Sequence, residues 1–142
     1  MEKKIVLSDS ESSIFISFEG IDGSGKSTQV RFLLDYLRKK NKNTILVREP
    51  GGTNISEEIR TLLLKNREER LTPKAEALLM TASRNQLIDQ KIIPSLNKGE
   101  IVIADRFSDS TLAYQGGGRG LNLKWLIELN KFATNNTYPD IT

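Results

Sequence analysis

A chain of 142 residues, 37% apolar and 27% charged, has the makeup of one globular domain that buries about 70% of its unfolded surface. Its 21 Lys and Arg against 18 Asp and Glu give a net charge of +3, which suits anionic substrates, but the basic residues are scattered and leave no nucleic-acid footprint. The absence of Cys and His excludes disulfide, thiolate and imidazole chemistry, so any catalysis falls to carboxylates, Lys, Arg, hydroxyls or a bound cation.

In chain order, residues 1–13 read as a polar leader expected to lack order, with "SDSESS" at its end. Its apolar stretch is too short for a signal peptide, and no run in the chain approaches the roughly 18 residues of a membrane span. The expected compartment is the cytoplasm, with no membrane partner. A single domain is expected over 14–142. "IFISF" (Ile14 to Phe18), "TILVR" (Thr44 to Arg48) and "IVIAD" (Ile101 to Asp105) are short β-rich runs whose near-continuous apolar character predicts burial on both faces. Between the first two, Val30, Leu33, Leu34 and Leu37 recur at the spacing of a helix's buried stripe.

A long helix is predicted from Thr72 as N-cap and Pro73 at its first position, with Ala75, Leu78, Leu79 and Ala82 on its apolar face. Pro94 bends or restarts it and Gly99 ends it. Two more helices are predicted, Ser108 to Gln115 and Lys124 to Phe132, the latter with Trp125, Leu129 and Phe132 in the core. Ile141 and Thr142 read as the start of a further strand. Strands alternating with helices predict an α/β fold of right-handed crossovers, with a parallel sheet covered on both sides.

The strongest chemical signal is "GIDGSGKS", Gly20 to Ser27, which matches G-x-x-x-x-G-K-[ST] between a strand and a helix. Glycines let successive N–H groups converge on phosphate oxygens, and the helix that follows adds its positive end. The residues expected to cradle the phosphates of a nucleoside triphosphate are Gly20, Ile21, Asp22, Gly23, Ser24, Gly25, Lys26, Ser27 and Thr28. Lys26 is the expected counter-charge to the β and γ phosphates, and Ser27 a ligand for Mg²⁺. The competing reading is a glycine-rich turn that happens to hold a lysine.

Asp105 ends an apolar strand at the edge where open α/β sheets build their sites. It is a candidate to bind Mg²⁺, directly or through water, although a strand-end aspartate serves equally as a cap or turn residue. Arg106 beside it offers a bidentate clamp for a second phosphate, which points to a phosphorylated acceptor. No N-K-x-D guanine-reading loop occurs.

Taken in order, "FEGIDGSGKSTQ", "REPGGT", "EEIR", "EALLMTASRNQ", "DRFSDSTLAYQGGGRG" and "YPDIT" cover nearly all of residues 14–142. In them the chain resembles the thymidylate kinase family, in its bacterial type. That resemblance implies a P-loop NTPase of the nucleoside monophosphate kinase-like kind, a three-layer sandwich, which phosphorylates dTMP to dTDP with MgATP in dTTP biosynthesis. It implies ATP and Mg²⁺ as cofactors and a homodimer. It also assigns residues to dTMP: Glu49 and Pro50 against sugar and phosphate, Arg60 reaching the acceptor site from the next helix, Arg106 on the phosphate, Arg84 to the thymine carbonyl, and Thr111 and Gln115 to the base. Ser110 belongs to the same set, and Tyr114 lies near the sugar's 2′ carbon. Lys26, Asp105, Arg106 and Asp22 are the implied catalytic group, Asp22 orienting the acceptor or a metal-bound water.

Two departures stand out. Met80 occupies the position where the family stacks an aromatic ring on thymine, and the chain stops at "PDIT", where the family continues into further strands and an arginine-bearing lid. The domain is therefore expected to be incomplete at its C-terminal end. Gly23 replaces an arginine that some family members carry in the loop, so this chain alone is expected to cradle a triphosphate and transfer it poorly. Expected transfer is in line, with the acceptor's phosphate dianion as nucleophile and no strong base. The alternatives are a kinase for another nucleoside monophosphate or a deoxynucleoside, and a nucleotide-binding module with little transfer activity.

Overall fold

The computed structural model describes residues 13–66 and 68–142; nearly all of the polar leader lies outside the described residues. Strands β1 (Ile14–Phe18), β2 (Thr44–Arg48) and β3 (Ile101–Asp105) form a parallel sheet in the order β1-β3-β2. The register aligns Phe18, Asp105 and Arg48, so the C-terminal ends of all three strands share one edge. Ile141 bridges Ile16 in parallel on the outer side of β1, and Ser17 N donates to its carbonyl at 2.9 Å.

The alternation of β3 explains the layers. Ile101 and Ile103 point to helix α1 (Lys26–Lys39), where they pack with Val30, Leu34 and Leu37, the predicted stripe. Val102 and Ala104 point the other way, to Phe15, Phe107, Leu87, Ile88 and Ile92. Helices therefore cover both faces of the sheet, giving the three-layer α/β sandwich of the P-loop nucleoside monophosphate kinase fold. Only β3, the central strand, is buried on both faces as predicted. On β2 the expectation fails at Leu46, which is 46% exposed because β2 is an edge strand of the sheet.

Helix α2 (Asn54–Leu64) starts at Thr53, whose side chain accepts from Ser56 N at 3.1 Å. Helix α3 (Pro73–Leu87) starts at Thr72 as predicted, with Thr72 Oγ1 accepting from Ala75 N at 3.2 Å; such a cap stabilises by about 1 kcal/mol. Beyond it the helical path continues through a wider π-helical turn, Ile88–Ile92, into α4 (Ile93–Asn97), with Pro94 directly after the wide turn. After β3 come α5 (Ser108–Thr111), a π-helical stretch over Leu112–Gly118, and α6 (Leu123–Thr134).

Two predicted core faces are only partly met: Ala75, Leu79 and Leu129 are half-buried, but the buried centre of each helix lies elsewhere. On α3 the buried residues are Ala77, Thr81, Ser83, Arg84 and Leu87, whereas Leu78 is half exposed and Ala82 exposed. On α6 they are Leu126, Asn130, Ala133 and Thr134, while Trp125 and Phe132 face outward. The cause is common to the two helices: each turns a polar, hydrogen-bonding stripe inward, so apolar periodicity points to the wrong side. The stability cost of truncation should follow the observed faces. Leu126→Ala, at 0% exposure, is expected to cost about 2–5 kcal/mol in urea unfolding of the dilute protein, and Phe132→Ala, at 83%, under about 0.5.

Candidate active site

The phosphate loop connects β1 to α1. Gly25 opens α1 in the left-handed region at φ 89°, a conformation that costs a glycine little and leaves the first N–H groups of the helix turned toward the loop. No acidic residue lies in the first turn of α1, so its positive end is not neutralised locally. Lys26 Nζ donates to Ile21 O at 3.0 Å and so lies back along the loop. Ser27 Oγ donates to Asp105 Oδ2 at 3.3 Å, because the loop leaves β1 next to the end of β3. A hydroxyl and a carboxylate at this separation are the hard oxygen donors that suit Mg²⁺. Among the described residues no group of three or more carboxylates, His or Cys converges elsewhere to hold a metal.

Arg106, the residue after β3, takes φ 71° and donates its N–H to Phe18 O at 3.0 Å. Its guanidinium reaches Gly20 O at 2.8 Å, Asp22 Oδ1 at 2.6 Å and Ser110 Oγ at 3.3 Å, and lies 5.3 Å from the centre of the Tyr114 ring. Partial burial pulls its pKa down, but the bonds to Asp22 and Tyr114 outweigh that and leave it above its ordinary value. Sequence reasoning missed Glu19, which accepts from Phe107 N at 2.8 Å and from Ser110 Oγ at 2.5 Å and so pins the turn that carries Arg106. Its position directly after an apolar strand, as for Asp105, was the available signal.

The second loop, residues 49–53, follows β2, with a cis Glu49–Pro50 peptide. Glu57 on α2 accepts from Gly52 N at 2.7 Å and, through both of its carboxylate oxygens, from Arg48 NH2 at 2.9 and 3.0 Å. A Cβ on Gly51 would lie 2.5 Å from Glu57 Oε1 and displace that carboxylate from its bonds to Gly52 and Arg48. Pro50 O accepts from Arg60 NH1 at 2.9 Å.

Arg84 lies beneath both loops and is 1% exposed. Its Nε donates to Glu49 Oε2 at 2.7 Å, NH1 to Asn130 Oδ1 at 2.5 Å, and NH2 to Phe107 O and Thr111 Oγ1 at 3.1 and 3.0 Å. The guanidinium also stacks over the Phe107 ring at 5.3 Å. Burial pushes the Glu49 carboxyl up from its ordinary value, and Arg84 pulls against that shift.

A cavity of about 390 Å³ opens beside these groups. Of the residues assigned to the acceptor it brings together Glu49, Pro50, Arg60, Met80, Arg106, Ser110, Tyr114 and Gln115, with Asp22 of the loop at its rim. Arg84 and Thr111 stand behind the wall, bonded to each other, and Arg84 is bonded to Glu49 as well. The cavity adds residues that sequence reasoning missed: Leu63, Leu64, Glu76 and Arg119. Glu76 was legible in principle, since Glu76, Met80 and Arg84 fall at i, i+4, i+8 on one side of α3. Two buried acceptor oxygens of the wall, Glu49 Oε1 and Gln115 Oε1, have no partner among the described residues.

Fold, loop and neighbouring cavity define a P-loop nucleotide-binding protein with a second, acceptor-type site. Comparison with known proteins narrows the class. The family model described as thymidylate kinase matches residues 18–142. The chain is 52% identical over 128 residues to the thymidylate kinase of Thermosipho africanus (strain TCF52B), covering 90% of this chain and 63% of that protein. It is 53% identical over 129 residues to that of Chlorobaculum tepidum, covering 91% and 60%. A crystal structure of thymidylate kinase from Ehrlichia chaffeensis superposes with a TM-score of 0.86 at 46% identity, covering 92% of this chain and 74% of that one. The chain therefore belongs to the thymidylate kinase family. It spans about three fifths of the length of the curated relatives it matches.

The second loop carries a pH dependence. The Gly52 N–H, and with it Arg48, holds the Glu57 carboxylate below its ordinary value of 4.5. A lowered acid contributes stability that is present above that value and lost as pH falls through the folded one. The melting temperature of Glu57→Gln should thus fall below wild type near neutral pH, and the gap should close on titration below about 4.5; a gap that widens in acid contradicts the assignment.

Proposed function

We propose that the protein transfers the γ-phosphoryl group of ATP to the phosphate of dTMP, giving dTDP and ADP. The observation that carries this reading is the position of Arg106. It is bonded to Gly20 and Asp22 of the phosphate loop and also lines the acceptor cavity, so one cation borders the donor and acceptor phosphates. Arg60 and Arg119 add positive charge to the cavity wall, Met80 and Leu63 give it an apolar side for a base, and Glu49 Oε1 and Gln115 Oε1 accept from the donors of a sugar and a base.

An acceptor phosphate oxygen attacks the γ-phosphorus as the bond to the β,γ-bridging oxygen breaks, and ADP leaves with that oxygen. The nucleophile is already an anion, so the site requires no imidazole base, in keeping with a chain that has no His. Lys26 swings from the Ile21 carbonyl to the β and γ phosphates, and Arg106 neutralises charge between donor and acceptor. Ser27 and Asp105 are the residues that hold Mg²⁺, which supplies further charge neutralisation on the donor phosphates when bound. Asp22 keeps Arg106 aimed. Arg84 acts from behind the wall: it orients Glu49 and Thr111, and the base itself is met by Gln115.

A homodimer and a cytoplasmic place of work complete the proposal. Helices α3 and α6 pack together and expose Leu78, Trp125 and Phe132, large apolar residues that subunit association would cover. Among the described residues no helix is long and apolar enough to cross a membrane.

The activity is tested on the full-length protein by coupled ADP release with dTMP, dUMP, dCMP, dGMP and thymidine. The expected result is a preference for dTMP and a loss of about a hundredfold or more in kcat/KM for Lys26→Ala and for Arg106→Ala. Unchanged rates in the two variants, or thymidine as the better acceptor, would overturn it. Light scattering tests the dimer: Phe132→Glu is expected to shift the protein to the mass of a single chain, and a wild type already at that mass would refute the association.

A further inference from the structure

The cavity contains a polar contact that the transfer reaction does not use. Glu76 Oε1 accepts from Gln115 Nε2 at 2.9 Å, and the Glu76 carboxylate is itself held by Arg119, with Nε and NH2 each at 3.2 Å. Gln115 is 4% exposed, lies in the π-helical stretch after α5, and lines the cavity together with Glu76. Its other amide atom, Oε1, is buried without a partner among the described residues.

A primary amide has a donating end and an accepting end of nearly the same size, and in an isolated pocket either can face a ligand. Here the choice is made by chemistry. A carboxylate oxygen only accepts, so the end of Gln115 beside Glu76 must be Nε2, and the end left for the cavity must be Oε1. A buried acceptor with no partner penalises any ligand that cannot donate to it.

We propose that Glu76 is a positioning residue for specificity: by holding the Gln115 amide in one orientation it makes the cavity select a base whose edge donates an N–H there. An imide N–H, as in thymine or uracil, satisfies Oε1. A ring nitrogen that accepts, as N3 of cytosine does, is set against another acceptor. Arg119 keeps the Glu76 carboxylate in place, so the device is a relay from an exposed ion pair to a buried amide. The inference rests on the reading of the cavity as a nucleoside monophosphate site.

The test is calorimetric binding of dTMP and dCMP to wild type and to Glu76→Gln. Glutamine is isosteric with glutamate but offers either end to its neighbour, so Gln115 is free to flip. The expected result is a dTMP affinity about tenfold lower with dCMP unchanged or tighter, so that the ratio between the two falls. The reciprocal double variant, Glu76→Gln with Gln115→Glu, restores an acceptor to the cavity with the contact reversed, and should recover most of the preference for dTMP. Equal weakening of both nucleotides, with the ratio fixed, would show Glu76 to be a prop for the cavity's shape and would overturn the inference, as would no change in either. Failure of wild type to bind dTMP would overturn the reading of the cavity itself.

Discussion

The ion pair between Arg84 and Glu49 is the contact on which the acceptor side of the molecule hangs. Arg84 comes from α3, Glu49 from the loop after β2, Phe107 from the turn after β3, Thr111 from α5 and Asn130 from α6, and one guanidinium bonds all four partners. Two charges with almost no water around them do not guarantee net stability, since the cost of desolvation offsets their attraction. What they do is define a single arrangement, because loss of either partner strands the other in the interior. The five segments, four of which line the cavity, are thereby held in register before any ligand arrives.

That arrangement divides labour across the sheet edge. The α1 side is apolar and generic: Val30, Leu34 and Leu37 on Ile101 and Ile103, with the phosphate loop at its upper end. The α3 and α6 side mixes an apolar floor of Leu87, Ile88 and Phe107 with the polar hub above it. In the proposed reading donor phosphates would meet backbone N–H groups and the end of a helix, which bind phosphate without regard to what is attached, and the acceptor would meet the cavity's side chains. Side chains can discriminate.

The same division governs how far the sequence could be read. The phosphate loop, the three strands, the α1 stripe and the Thr72 cap depend on local signals within a few residues, and each was legible. The inward faces of α3 and α6 depend on partners 23 to 46 positions away, such as Phe107 and Asn130 for Arg84. No window of sequence contains that information, and the apolar residues at helical spacing pointed outward, to a surface that a second chain can cover. Glu76 and Glu19 fell between the two cases. Each lies inside a stretch that was recognised, but its importance comes from a contact across the fold, with Arg119 and Gln115 or with Phe107 and Ser110.

Arg106 shows what the site asks of the backbone. Among the described residues with positive φ it alone is neither glycine nor asparagine, the types that tolerate this region. An L-residue resists the left-handed conformation by about 1–2 kcal/mol, and here it is retained at the residue that aims a guanidinium between the phosphate loop and the cavity. A glycine would relax the turn and remove the charge. At this position backbone strain is held in place by the contacts that aim the side chain, to Gly20, Asp22 and Ser110.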